Sequence, residues 1–166
     1  MHLTNYTIRQ FTADEIEAYK SIRLEALQQE PWYYGMSHAA EAAMSHDEWL
    51  DRIINPLHAR FGLYADDTLI GLTGIVINKD KTNEAYMTQS YIRKEHRGKK
   101  LSRMLYDTRI AWAKEHSVKR LEIAHKESNL ASKGANQHYG FVFTHKEPRV
   151  WPDGSEEDNY YYELFI

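Results

Sequence analysis

Residues 91–105 read Tyr-Ile-Arg-Lys-Glu-His-Arg-Gly-Lys-Lys-Leu-Ser-Arg-Met-Leu, and the reading of this stretch decides the fold. An apolar, β-prone run from about Tyr86 enters a short charged loop, and the loop runs straight into an amphipathic helix. Arg97, Gly98, Lys99, Lys100, Leu101 and Ser102 sit at the junction. A helix begun by glycine and basic residues gathers unpaired backbone N–H groups and positive charge at one point, which is what a phosphate needs. A pyrophosphate held there would mark a chain that handles a nucleotide-like cofactor.

Before this junction the pattern is that of strands. Phe61 to Ala65 and Thr68 to Asn78 flank Asp66-Asp67 as an antiparallel hairpin, and a polar turn from Lys79 to Asn83 precedes a strand from Glu84 to Arg93. Earlier still, Thr12-Ala13-Asp14-Glu15 and Ser45-His46-Asp47-Glu48 read as capping boxes. The first opens a helix to about Gln29, stopped by Pro31; the second opens a helix that ends at Pro56. Tyr6 to Arg9 is a short β-prone run, and residues 31–43 are expected to form a loop or loose helix.

After the junction, Lys99 to His116 is predicted as a helix with Leu101, Met104, Leu105, Thr108 and Trp112 on one face. Leu121 to His125 follows as a strand, Asn129 to about Tyr139 as a helix and Gly140 to Phe143 as a strand. Trp151 to Gly154 is a turn and Tyr160 to Phe165 the last strand. The order β-α-α-β-β-β-α-β-α-β-β has no linker or repeat, so a single domain over residues 1–166 is expected. Its class is α/β (α+β), a mixed sheet covered by helices. The helix from Lys99 serves as a right-handed crossover, which brings its N-terminus to the C-terminal ends of the strands, where ligands bind in such sheets.

Composition narrows the function classes. The chain has 166 residues, 42% of them hydrophobic, enough for one core. Its start lacks the basic-then-apolar layout of a signal peptide, and no apolar run is long enough to span a membrane, so a cytoplasmic location without a membrane partner is expected. The absence of cysteine excludes disulfides, thiolate metal sites and a protein-bound thioester. The 9 histidines show no H-E-x-x-H or comparable spacing, so no metal is expected. A net charge of −3 does not favour nucleic acid as a partner.

The element order, with Arg97-Gly-Lys-Lys-Leu-Ser102 after the fourth strand, resembles the GNAT superfamily of Gcn5-related N-acetyltransferases. Its phosphate loop reads Gln/Arg-x-x-Gly-x-Gly/Ala. Arg97 takes the first position, while Lys100 and Ser102 stand where Gly and Gly/Ala are usual. A second motif agrees: residues 129–141, Asn-Leu-Ala-Ser-Lys-Gly-Ala-Asn-Gln-His-Tyr-Gly-Phe, match the family's Asn-x-x-Ala…Tyr-x-x-x-Gly-Phe helix in length and at both ends. The resemblance covers nearly the whole chain. It implies a mostly antiparallel sheet and an acetyl-CoA-dependent N-acetyltransferase that passes an acetyl group directly to a primary amine of a small molecule or peptide. The departures from the motifs leave an alternative, a catalytically weak acyl-CoA-binding or sensor protein of the same fold.

The resemblance also assigns residues. The N–H groups of Gly98, Lys99, Lys100, Leu101 and Ser102 would surround the pyrophosphate, with Arg97 and Asn129 as further cofactor contacts. Backbone groups of Tyr91, Ile92 and Arg93 would hold the pantetheine arm, and the Ile92 N–H would polarise the thioester carbonyl. Glu84, thirteen residues before Arg97, is the expected general base, with Tyr86 and Gln89 further along its strand. The family's acid is a tyrosine seven residues after the motif's Asn. That position holds Asn136, which has no proton to give at neutral pH and is expected as a cofactor contact. Tyr139, about one turn on, is either a substitute or plain core. For the acceptor, Trp32, Tyr33, Tyr34 and Trp151 would make an aromatic wall for an amine, and Glu41, Asp153, Glu156, Glu157 and Asp158 would attract a cation. The same aromatics also suit a homodimer contact.

Overall fold

The computed structural model describes residues 2–166. Seven strands form one sheet in the order β1-β2-β3-β4-β5-β7-β6. They are β1 (Tyr6–Gln10), β2 (His58–Ala65), β3 (Thr68–Ile77), β4 (Glu84–Ile92), β5 (Arg120–Lys126), β6 (Val142–Val150) and β7 (Glu156–Phe165). Every pairing is antiparallel except β4 with β5. The helices are α1 (Ile16–Gln29), α2 (His38–Ala42), α3 (His46–Ile54), α4 (Ser102–Glu115) and α5 (Leu130–His138).

Local chemistry places most element starts. Thr12 and Glu15 form the expected capping box ahead of α1. Ser45 accepts from the Glu48 N–H at the head of α3. Residues 31–43 contain a 3-10 turn at Pro31–Tyr33 and the short helix α2, capped by Ser37. Helix α4 begins three residues later than the sequence suggests, because Lys100 takes a left-handed φ of 61 that no helix continues through. The C-terminal hairpin is longer than expected. Strand β6 runs on to Val150 and β7 starts at Glu156, so Glu156 to Asp158 belong to a strand rather than a loop. The polar and charged run from Thr144 to Arg149, with Pro148 in it, hides this strand from a search for apolar runs. It is the outer edge of the sheet, exposed along its whole length, with Pro148 inside it and a register shift between Phe143 and His145.

Three apolar clusters hold the helices to the sheet. Tyr19, Ile22 and Ala26 of α1 join Trp49 and Ile53 of α3 around Leu72 and Tyr91. Leu101 and Leu105 pack on Leu63 and Ile70. Tyr106, Trp112 and Ala113 of α4 meet Ile75, Met87 and Leu121. A buried aliphatic or aromatic side chain contributes about 1.5–3 kcal/mol by leaving water, so these contacts fix α4 firmly beneath β4 and β5.

Two irregularities open the sheet where α4 begins. On the β3 side, Thr88 pairs with Gly74 and Tyr91 with Leu72, so Gln89 and Ser90 together face the single residue Thr73 in a β-bulge. Gln89 has a left-handed φ of 63. No glycine relieves it; instead Gln89 Oε1 accepts from Tyr19 OH and from Arg60 Nε, both at 2.9 Å. On the β5 side, pairing stops after Glu84–Arg120, Ala85–Leu121 and Tyr86–Glu122. From Met87 onward the two parallel strands diverge into a fork.

Candidate active site

The fork opens into a cavity of about 750 Å³ bounded by β4, β5, α4, α5 and the segment after α1. At one end lies the loop 97–102. Gly98 has φ of 77 and Lys100 φ of 61, and the resulting turn leaves the N–H groups of Gly98, Lys99, Lys100, Leu101 and Ser102 with no acceptor among the described residues. Five successive free amides at a helix start form a concave anion nest. A Cβ on Gly98 would meet nothing within 4 Å, so the space above the turn is open. Lys100 and Ser102 both line the cavity. The side chain of Lys99 turns away, its Nζ donating to Tyr6 OH at 3.2 Å.

The strand entering the loop turns the Ile92 amide toward the fork. The Arg93 N–H donates to the Ile70 carbonyl at 2.8 Å, so by antiparallel alternation the groups of Ile92 point to the opposite edge. There the Ile92 carbonyl accepts from Arg97 Nε at 2.8 Å, while its N–H has no acceptor. This register turns the Arg93 N–H away from the fork, and the Arg93 side chain is ion-paired with Glu25 at 2.8 Å. Arg97 is fixed rather than free: besides Ile92 it pairs with Glu30 and lies over the Tyr91 ring.

Beneath the fork sits a buried polar cluster with more donors than acceptors. Tyr106 OH donates to Asn136 Oδ1 at 2.5 Å, leaving Asn136 Nδ2 without a partner. Arg109 is 1% exposed; its Nε donates to the Leu105 carbonyl at 2.9 Å, its guanidinium lies 5.0 Å from the Tyr106 ring centre, and its Nη1 is unpartnered. No carboxylate pairs with it among the described residues. Burial pushes its pKa down to about 10 and that of Tyr106 up to about 12. Asn129 caps α5 through Ser132 N–H and also lines the cavity. Tyr139 stacks on Tyr106 at 4.3 Å and does not line the cavity, which is the core role.

Glu84 is not brought to the cavity. It lies at the far end of β4, before the fork, where Arg120 holds it at 3.5 Å and Lys81 at 3.8 Å. The strand's 3.3 Å rise per residue separates it from Ile92 by roughly 26 Å. Trp32 is likewise outside, 48% exposed and edge-on to Tyr33. Tyr33, Tyr34 and Trp151 do line the cavity. Two of these rings already meet protein cations: Arg23 lies over Tyr34 at 5.0 Å, and Lys126 and Arg149 over Trp151 at 5.3 and 4.6 Å. The acidic residues do not face the cavity as free charges either. Glu41 is buried against Arg23 and Arg52, Asp153 and Glu157 pair with Lys126, and Asp158 pairs with Lys146.

Sequence reading missed Tyr106, Arg109, Arg23, His125, Lys126 and Arg149 as cavity residues. For the first two a signal existed, since Ser102, Leu105, Tyr106 and Arg109 stand at i, i+3, i+4 and i+7, one helix face that carries an arginine. His125 is buried between the Lys126 carbonyl (2.7 Å) and Tyr162 OH (3.0 Å), and burial lowers its pKa, so it is neutral at neutral pH. Among the described residues no group of three His, Asp or Glu is placed to hold a metal ion, and no helix is long and apolar enough to cross a membrane.

Comparison with known proteins bears on the family and the fold. Residues 21–141 match the family model described as Acetyltransferase (GNAT) family. No curated relative matches the sequence. Solved structures share the fold over nearly their full length. An acetyltransferase of GNAT family from Streptococcus pneumoniae superposes with a TM-score of 0.80 at 14% identity, covering 98% of this chain and 100% of its own. The protein yncA of Salmonella typhimurium, solved with its cofactor acetyl-CoA, gives 0.81 at 18% identity, with coverages of 97% and 94%. RimL, a ribosomal L7/L12 alpha-N-protein acetyltransferase in complex with coenzyme A, gives 0.78 at 13%, with coverages of 99% and 96%.

Proposed function

Because the chain belongs to the acetyltransferase (GNAT) family, we propose that it is an N-acetyltransferase that uses acetyl-CoA as donor and a primary amine of a small molecule as acceptor. The observation that carries the reading is the pair of places where N–H groups stand unpaired, Gly98 to Ser102 at the helix start and Ile92 in the fork. The first suits a pyrophosphate and the second a thioester carbonyl. The Lys100 ammonium stands beside the pyrophosphate, and Asn129 contacts the arm. Tyr91 contributes to the strand that lines it. The small-molecule acceptor, bound on the side of Tyr33, Tyr34 and Trp151, is part of the proposal.

In this mechanism the Ile92 N–H donates to the thioester oxygen as charge develops there. The amine nitrogen forms a bond to the carbonyl carbon, the carbon–sulfur bond breaks, and the sulfur departs as a thiolate. The buried Arg109 guanidinium, which has no counter-charge among the described residues, and the neighbouring Asn136 amide favour that negative charge from beneath the fork. Tyr106 is a poor candidate for the acid: its hydroxyl donates to Asn136, and burial pushes its pKa up to about 12, which weakens it as a proton donor. The amine's surplus proton leaves to water, because the one carboxylate lining the cavity among the described residues, Glu30, is paired with Arg97. That lack of a free base also favours a second reading, the weakly catalytic acyl-CoA-binding protein.

Calorimetry with acetyl-CoA, CoA and ATP tests the cofactor, and thiol release over a panel of amines separates enzyme from sensor. Micromolar binding of both CoA compounds with ATP weaker is expected. Failure of CoA compounds to bind at millimolar concentration would remove the reading.

A further inference from the structure

The acceptor end of the cavity carries more positive charge than its neighbours neutralise. Behind Tyr34 and Gln89 lie three arginines, Arg23, Arg52 and Arg60, and one carboxylate, Glu41, which two of them hold. Arg23 holds Glu41 through two hydrogen bonds of 3.0 and 2.9 Å, and Arg52 holds the same carboxylate at 2.7 Å. Arg60 reaches no carboxylate, bonding to Gln89 and Tyr19 instead. Burial lowers the Arg60 pKa, and the like charges of Arg52 and Arg23 add to the effect. Arg23 is 4% exposed, lines the cavity, and its Nη1 has no partner. On the facing side, Arg149 is held by the Gly35 carbonyl at 3.0 Å and by the Trp151 ring, with no carboxylate in ion-pair reach. Arg23 and Arg149 thus grip adjacent residues, Tyr34 and Gly35.

An acceptor that is only a cation enters this end against like charge in a partly desolvated site, where interactions are stronger than in water. An acceptor that also bears an anion relieves the imbalance. We propose that the acceptor is an amine that carries a carboxylate, as an amino acid does. Its carboxylate lies between Arg23 and Arg149, and its amine points to Ile92. Arginine suits the task because its planar donors match a carboxylate in pairs. The inference rests on the transferase reading and names its acceptor class.

The test uses sets of amines sharing one stem: a free amino acid, its carboxamide, and the amine with hydrogen in place of the carboxylate. At saturating acetyl-CoA, kcat/KM for the carboxylate member is expected to exceed the other two by about tenfold or more. Arg149→Gln, a change at the cavity rim, should collapse that ratio through KM with little change in kcat. Arg23→Lys keeps the buried charge and should reduce the ratio in the same way; a thermal melt confirms its folding. Carboxamides or carboxylate-free amines that match the acid in every set would overturn the inference and leave the transferase standing. Loss of acetyl-CoA binding in calorimetry on the same sample would instead remove both. If no set turns over, titration of acid and carboxamide into CoA-saturated protein decides, and equal affinity for the two overturns the inference.

Discussion

The two ends of the cavity are built from different materials. The loop end is backbone: five amides freed by a turn through Gly98 and Lys100, with the Ile92 amide a separate donor in the fork. The acceptor end is side chain: Arg23, Tyr34 and Arg149, each held by a residue of another element, and Trp151, held within its own hairpin by the Glu157 carbonyl. A backbone site depends on where the chain turns and tolerates changes in what the turn carries. A side-chain site depends on each residue and on what lies behind it. The polar cluster of Tyr106, Arg109 and Asn136 sits between the two, beneath the fork.

The largest expected effect falls on that middle cluster. Arg109→Met removes a buried cation that has no counter-charge, so kcat should fall by about 100-fold, as when a donor to developing charge is lost. Acetyl-CoA affinity should stay within about twofold, because the amide cradle is untouched. Stability should move the other way, rising by about 1 kcal/mol or more in urea, since an uncompensated buried charge is replaced by an apolar chain. A variant that is both fully active and no more stable would show the cluster to be inert.

A smaller effect is expected at the loop. Lys100→Gly should stabilise the fold by about 1 kcal/mol by removing a left-handed non-glycine residue. Loss of the ammonium should weaken acetyl-CoA binding by about threefold at low salt, and the difference should shrink as salt rises. Tighter binding at all salt concentrations would mean that the side chain obstructs the phosphates. The smallest effect is expected at Glu84, on neither end. Glu84→Gln should leave kcat within about twofold, and the rate should still rise with pH through the acceptor amine's own ionisation. Loss of the rising limb in that variant would return Glu84 to the mechanism.

The same contrast explains what was legible in the sequence. Gly98, the basic residues around it and the strand-to-helix switch fall within a dozen consecutive positions, so the cradle could be read directly. The Asn129–Phe141 helix was legible for the same reason. The bulge at Gln89 was not, because a glutamine gives no sign of a left-handed backbone; Tyr19 and Arg60, distant in the chain, hold it there. Glu84 was placed by analogy with a strand position, but its contact with Arg120 depends on where β4 and β5 begin to pair. The acidic residues looked available because their arginine and lysine partners lie on other elements. Local spacing reveals backbone devices; charge balance appears only when the chain is closed.

The outer strand β6 has a consequence of another kind. An exposed nine-residue edge with Val142, Phe143 and Val150 facing water offers a template on which foreign strands could add. Two features spoil that template. Pro148 lacks an N–H, and the register slip between Phe143 and His145 twists the strand out of line. The uninterrupted stretch between them is too short to seat a fibril-forming neighbour. The irregular hairpin therefore serves colloidal solubility, keeping a sheet with one long bare margin from growing beyond its seventh strand.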